Sequence, residues 1–254
     1  MIAAVIPALD EAPRIGRVVR TLPPAVGRIV VIDDGSSDGT REVAQAADPR
    51  VVVLRHENRR GVGASIAEGA LFARALGAEV VVVLAGDGQM DVADLPAVLR
   101  PILRGEADYV KGDRLRWPDG ALAFPLDRLL GIVGLAALTR LATGQFVQDA
   151  QCGYCAFSAR ALDTLDLARL WPGYGYPNAL LIALHATGLR VVEVPVRPVY
   201  DGAPSKLRLA HVPPIVGMLL RASMRRLSGR LAVAPAVQAK GLRRRASATA
   251  AVRD

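Results

Sequence analysis

Val30–Thr40 reads VVIDDGSSDGT, a β-branched run that stops on two adjacent aspartates and turns through Gly, Ser and Asp. Val81–Asp91, VVVLAGDGQMD, has the same form, and so does Val5–Glu11, VIPALDE. Nearly continuous apolar runs of this length suit strands buried on both faces. Working outward, strands are expected at Ile2–Ile6, Arg28–Ile32, Val51–Leu54, Val80–Leu84 and Asp108–Lys111. Helical patterns lie between them, near Arg14–Leu22, Gly39–Ala47, Gly63–Leu76 and Asp94–Leu103. This alternation predicts an α/β fold with a mainly parallel, doubly wound sheet, right-handed crossovers and flanking helices. Ligands of such sheets bind at the carboxyl ends of the strands, which is where the acidic residues fall.

After Gly112 the pattern changes. Phe124–Ala142 reads as an apolar helix broken near Gly131 and Gly134, and Val147–Phe157 as short and irregular. Tyr176–Ala186 reads as a helix, Leu189–Val196 as a strand, and His211 to about Leu227 as a basic amphipathic helix. The expected division is a catalytic domain over 1–210, followed by an amphipathic helix and Arg-rich tail over 211–254. The chain's 254 residues can bury a large core. With 52% hydrophobic and 22% charged residues it is not a disordered chain. The longest uncharged apolar run, Leu129–Leu138, is flanked by Arg128 and Arg140, well short of the roughly 18 residues of a membrane span. Met1 leads straight into a strand, without a basic leader, and two cysteines make no disulfide framework. A cytoplasmic setting is therefore expected.

The net charge of +8 invites a nucleic-acid reading, but its location argues otherwise. Residues 221–254 hold nine basic residues and one acidic residue, while 1–220 hold 23 of each. A neutral body with 4% aromatic residues and no recognition motif is not a nucleic-acid-binding module. The basic end instead suits an anionic membrane surface, where each nearby cation contributes about 1 kcal/mol.

Asp33 and Asp34 stand where a sugar hydroxyl or base N–H can be bound, while Ser36, Ser37 and Asp38 can equally cap the next helix. A buried strand that ends in carboxylates is costly without a cation. Asp87 and Asp91, with Gln89 between them, offer hard oxygen ligands for Mg²⁺ or Mn²⁺, and Gly86 and Gly88 admit a close approach. Asp91 and Asp94 can instead cap the following helix, with Asp94 the better placed. Cys152 and Cys155 form a lone C-x-x-C, read as packing, and His56, His185 and His211 lack metal-ligand spacing and read as structural.

Together these motifs resemble the family 2 glycosyltransferases of the GT-A fold, in particular the dolichyl-phosphate mannose synthase-like branch that uses polyprenyl phosphates. Further elements fall in the same order: GVGASIAEGA at Gly61–Ala70, YVKGDRL at Tyr109–Leu115 and FPLDR at Phe124–Arg128. After these come TGQFVQDAQCGYCAFS at Thr143–Ser158, GYGYPNALL at Gly173–Leu181, VVEVPVRPVY at Val191–Tyr200 and SKLR at Ser205–Arg208. The resemblance spans about residues 2–220. It implies that Pro7, Glu11 and Asp34 bind the nucleoside with Asp33 beside them, and that Asp87 and Gln89 hold metal and diphosphate. It also implies that Arg114 and Arg128 receive the acceptor phosphate and that Asp149 lies beside the transferred sugar. Lys206 would close over the diphosphate, with Arg208 as a second cation. Two positions depart from the family pattern. Ala85 replaces the usual first aspartate of the metal motif, and Leu9 stands where an aromatic residue often stacks on the base.

Expulsion of a nucleoside diphosphate requires charge neutralisation, which a divalent ion and a lysine supply. A hydroxyl acceptor also needs a general base. A phosphate monoester, with a second pKa of about 6, is already mostly anionic, so cationic positioning matters more. Asp149 is open to two roles, base or sugar-hydroxyl ligand. The expected activity is metal-dependent, inverting transfer of a hexose from a GDP-mannose- or UDP-glucose-type donor to a polyprenyl phosphate. The enzyme would act peripherally on the inner face of the membrane. Rival readings are transfer to a saccharide or protein hydroxyl, and a nucleotide-sugar-binding protein without catalysis.

Overall fold

Apolar runs that must be covered on both sides fold into one seven-stranded sheet. The structure, a computed structural model, describes residues 1–199 and 209–229. Its elements are β1 (Ile2–Ala8), α1 (Ala12–Thr21), β2 (Val26–Asp33), α2 (Thr40–Ala47), β3 (Val51–Arg55), α3 (Val62–Ala75), β4 (Val80–Val83) and α4 (Leu95–Leu103). There follow β5 (Tyr109–Asp113), α5 (Leu126–Thr143), β6 (Cys155–Ser158), α6 (Ala159–Thr164), α7 (Tyr176–Ala186), β7 (Val191–Pro195) and α8 (Val212–Leu227). The strand order is β3-β2-β1-β4-β6-β5-β7. All neighbours are parallel except β6, which is antiparallel to both β4 and β5.

Side chains alternate between two cores. Val5, Ile32 and Val83 face one side with α3 and α7, and Ile6, Val31 and Val82 face the other with α1 and α4. This period-2 burial on both faces is why the strands read as continuous apolar runs. A smaller core, with Leu135, Ala142, Ile215, Leu219 and Ala222, joins α5 to α8. Arg226 fastens the pair by donating to the Leu141 carbonyl at 3.0 Å.

Two sequence expectations are corrected. The segment read as irregular contains β6, a four-residue strand whose antiparallel pairing closes the sheet between β4 and β5. α5 runs unbroken through Gly131 and Gly134. It contains no proline to break it, and its stop is Gly144 at φ +70°. Lys206, Arg208 and the tail beyond residue 229 lie outside the described residues.

Gly63 marks a tight approach at the start of α3. Its amide donates to the Pro172 carbonyl at 2.7 Å, and a Cβ there would stand 2.0 Å from the Trp171 carbonyl oxygen. Gly131 has nothing within 4 Å of such a Cβ. Gly63→Ala is therefore expected to cost about 1–3 kcal/mol through overpacking. Gly131→Ala should gain about 0.8 kcal/mol from helix propensity. Urea midpoints at constant slope measure both, and a Gly63→Ala chain as stable as the parent would refute the close approach.

Candidate active site

At the carboxyl edge of the sheet, a cleft of about 1410 Å³ gathers the ends of β1, β2, β4, β5 and β7, the loop before β6 and one face of α5. The loops after β1 and β2 are stitched together by side chains taking backbone protons. Asp10 N–H donates to Ser36 Oγ at 3.0 Å, Ser37 N–H to Asp10 Oδ1 at 3.0 Å, and Glu11 N–H to Thr40 Oγ1 at 2.8 Å. Asp38 accepts from Ala12 N–H at 3.0 Å, so it satisfies the first turn of α1 as well as Thr40 of its own helix.

The two aspartates after β2 part company. Asp33, 1% exposed, accepts from Ser36 N–H at 2.8 Å, has Arg55 Nε 3.6 Å from Oδ2, and does not line the cleft. Asp34 does line it, and organises the loop beyond β3. Its carboxylate meets His56 Nδ1 at 2.6 Å and accepts from Arg60 N–H at 2.7 Å and Gly61 N–H at 2.8 Å. His56, buried, reaches Glu68 at 3.1 Å with its other ring nitrogen. A histidine without metal-ligand spacing thus holds the loop that Asp34 anchors. Pro7 lines the cleft beside Leu9, whereas Glu11 is buried at the start of α1, where Arg14 meets it at 2.9 Å.

On the loop after β4, Ala85, Asp87 and Gln89 line the cleft, and Asp87 Oδ1 accepts from Gln89 N–H at 3.0 Å. Asp91 does not line it. Its Oδ1 accepts from Ala93 N–H at 2.9 Å, capping a short turn, and its Oδ2 pairs with Arg197 at 3.0 Å. Capping therefore falls to Asp91 rather than to Asp94, which instead accepts Arg197 N–H at 2.6 Å and ties the end of β7 to this loop. No cluster of three His, Cys, Asp or Glu side chains suited to a metal ion occurs among the described residues. The donor set around Asp87 and Gln89 fits a cation that takes most ligands from phosphate and water, as Mg²⁺ does, and not one caged by protein.

Arg114, after β5, and Arg128, on α5, both line the cleft, and their guanidinium carbons lie 5.2 and 5.5 Å from the centroid of the Phe124 ring. Asp149 is fully buried, does not line the cleft, and binds Arg114 through both oxygens, at 2.6 and 2.9 Å. Burial pushes the Asp149 carboxyl up, but Arg114 more than offsets this and holds it below the ordinary carboxylate range. Behind the pair, Lys111 Nζ donates to the Cys152 carbonyl at 2.5 Å, and burial, then Asp149, pushes the Asp113 carboxyl up. The cysteines are buried free thiols, with Cys155 pushed up to about 12 by burial, so they pack rather than react. Sequence reading missed His56, Phe124 and Arg197 as site-building residues. His56 and Arg197 work through partners distant in sequence, Asp34 and Asp91, and although Phe124 and Arg197 fall within the FPLDR and VVEVPVRPVY motifs, neither motif assigns them this work.

The profile of the family described as Glycosyl transferase family 2 matches residues 3–166. The UDP-N-acetylglucosamine–dolichyl-phosphate N-acetylglucosaminyltransferase of Methanococcus voltae is 31% identical over 216 residues, 79% of this chain and 86% of that protein. The undecaprenyl-phosphate mannosyltransferase of Micrococcus luteus is 30% identical over 209 residues, 77% of this chain and 82% of that one. Among solved structures, glucosyl-3-phosphoglycerate synthase from Mycobacterium tuberculosis with UDP superposes at a TM-score of 0.64 with 25% identity. That match covers 90% of this chain and 80% of the synthase. The same synthase is also solved with Mg²⁺ and UDP. The fold is thus the GT-A fold.

Hydrogen bonds to a charged acceptor contribute about 1.5–3 kcal/mol, roughly ten- to a hundredfold in an opening equilibrium. Asp34→Ala should therefore speed amide exchange at Arg60 and Gly61 by that factor. Unchanged protection of those two amides would mean that something other than Asp34 holds the loop.

Proposed function

Because the chain belongs to glycosyl transferase family 2 and is a glycosyltransferase, we propose that it moves a hexose from a nucleoside diphosphate sugar to a polyprenyl phosphate, with inversion. The observation that carries this reading is the arginine pair, Arg114 and Arg128, set around Phe124 on the cleft that also presents Asp87 and Gln89. Relatives named for dolichyl- and undecaprenyl-phosphate acceptors align over more than three-quarters of the chain and support the acceptor class.

In this mechanism Pro7 and Asp34 line the nucleoside end, with Asp33 and Glu11 supporting their loops. Asp87 and Gln89 would hold Mg²⁺ or Mn²⁺ together with the diphosphate, and such an ion would supply charge neutralisation for the leaving group. Ala85 stands in the first acidic position and Asp91 lies off the cleft on its cap and Arg197, so the carboxylate proposed to face that ion is Asp87, which lines the cleft. Arg114 and Arg128 orient the acceptor phosphate so that one of its oxygens attacks the anomeric carbon in line. The bond to the diphosphate breaks and the nucleoside diphosphate leaves with the electron pair. The acceptor is already anionic, so no base is required. Lys206 and Arg208 remain proposed diphosphate cations.

A polyprenyl acceptor keeps the enzyme at an anionic membrane surface, here proposed to be the cytoplasmic inner face. Leu126, Leu130 and Val133 on α5, and Leu220, Met224 and Leu227 on α8, all follow i, i+4, i+7 spacing, and all are exposed, Leu126 to 71%. Arg221 and Arg225 stand beside the second stripe. Two apolar stripes with adjacent cations fit an interfacial helix pair. No helix among the described residues is long and apolar enough to cross a membrane. The second reading is a soluble phosphorylated acceptor, because one solved structural relative is a glucosyl-3-phosphoglycerate synthase and an arginine pair suits any phosphate.

Screening GDP-mannose, UDP-glucose and UDP-N-acetylglucosamine against a short polyprenyl phosphate and phosphoglycerate should give turnover only with the lipid phosphate and a divalent ion. Arg128→Ala should raise the acceptor KM about ten- to a hundredfold, the value of a charge-assisted hydrogen bond. Turnover on phosphoglycerate with an inert lipid arm would install the second reading. In a separate measurement, Leu130→Asp with Met224→Asp should abolish sedimentation with phosphatidylglycerol vesicles while leaving nucleoside diphosphate affinity intact. Undiminished vesicle binding would remove these stripes from the membrane contact.

A further inference from the structure

A carboxylate offers about four lone-pair sites, and at Asp149 four N–H groups fill them. Oδ2 accepts from Arg114 Nε at 2.6 Å and from Arg114 backbone N–H at 3.4 Å. Oδ1 accepts from Arg114 Nη2 at 2.9 Å and from Gln151 N–H at 3.3 Å. Asp149 is wholly buried and stands behind the cleft wall, with Arg114 in front of it. No lone pair is left to take a proton from an acceptor or to bind a sugar hydroxyl. The fork does something else. Two parallel N–H···O bonds fix the plane of a guanidinium, which a single contact does not. With Nε and one N–H of Nη2 spent on Asp149, both N–H groups of Nη1 and the second of Nη2 remain for a ligand. Phe124 sets the other coordinate, since its ring lies 5.2 Å from the Arg114 carbon and 5.5 Å from that of Arg128.

We propose that Asp149 and Phe124 are positioning residues, Asp149 locking the guanidinium plane of Arg114 and Phe124 spacing it from Arg128. The two arginines then present a preset array of N–H donors to a phosphate. This rests on the acceptor-phosphate reading above and assigns Asp149 neither of the roles open to it from sequence. The charged and titratable groups around Asp149 are Arg114, Lys111, Asp113, Cys152 and Glu193, the last accepting from its backbone N–H. Arg114 outweighs burial and keeps Asp149 ionised through the working pH range.

The test compares Asp149→Asn, which keeps the shape and breaks the fork, with Phe124→Leu, which leaves the buried pair intact. Misplacement of a positioning group by about 1 Å can cost about a hundredfold. Asp149→Asn should therefore raise the polyprenyl-phosphate KM about ten- to a hundredfold, with the nucleoside diphosphate Kd and the shape of the kcat–pH profile preserved. Phe124→Leu should shift the same KM in the same direction by a smaller factor. A general base at this position predicts the opposite split, a fall in kcat of about 10²–10⁴ with an unchanged acceptor KM and a lost acid limb. That result overturns the proposal. If Asp149→Asn does not fold, Phe124→Leu decides, and an unchanged acceptor KM in that variant refutes the spacing role. One readout needs no acceptor. The Arg114 Nε–H resonance of the parent chain, assigned through Arg114→Lys, should resist exchange with water, and rapid exchange would disprove the lock. A parent chain inert toward every polyprenyl phosphate would sink the acceptor reading, while this resonance still tests the fork.

Discussion

The parallel pairing of β1 with β4 governs the site. Val5 is in register with Val83, Leu84 N–H donates to the Val5 carbonyl at 3.1 Å, and Gly86 N–H lies 3.4 Å from the Pro7 carbonyl. That register brings the end of β1 beside the loop carrying Asp87 and Gln89. β2 pairs on the other side with Ala8 against Asp33, which sets Asp34 at the same edge. A one-residue slip in any of these ladders would exchange the two core faces of a strand buried on both. The cleft therefore inherits its precision from the valine-rich core, and the loops need only be tied at their tips.

The ties explain why the site is so rich in acids. Asp10, Asp33, Asp38, Asp91 and Asp94 each accept backbone N–H groups of loops or helix starts. Such groups have no partner within their own secondary structure, and a buried unpaired amide is costly. Asp34 does the same for Arg60 and Gly61, but also lines the cleft, as Asp87 does. Acid count at a strand end thus overstates the number of ligand-binding groups. Most of these carboxylates hold the loops that carry the few which face the cleft.

This division also marks how far the sequence could be read. Strands buried on both faces and their crossover helices were legible, because burial forces continuous β-branched runs and amphipathic spacing. β6 was not legible, since four residues of Cys, Ala, Phe and Ser carry no periodicity and their pairing is with β4 and β5, far away in sequence. The continuity of α5 was misjudged at Gly131 and Gly134. Glycine lowers helix propensity there, yet the chain on both sides holds the helix. The resemblance implies that Arg114 and Arg128 receive the acceptor phosphate, and both line the cleft, but the partner of Arg114 lies 35 residues on, at Asp149. Nothing local announces such a pair. His56 was read as structural, and it is, but its structural work is on Asp34.

α5 links the cleft to the proposed membrane contact. Ile132, Leu135 and Ala136 turn into the protein while Leu126, Leu130 and Val133 turn outward, so the helix is apolar nearly all round. A helix of that kind is ordinarily buried on every side, yet among the described residues α7 and α8 cover only part of it. The exposed stripe is apolar and lies beside the cleft, because Arg128 and Leu135 of the same helix line it. The proposed bilayer contact suits such a stripe, and an anionic bilayer would also attract the arginines of α8. In that proposal the stripes would supply the contact, and the positive excess of the last 34 residues in the sequence would favour an anionic surface. A phosphate headgroup at that surface would meet Arg128 without leaving the lipid layer. The geometry of one helix thereby relates the proposed acceptor to the proposed place of action.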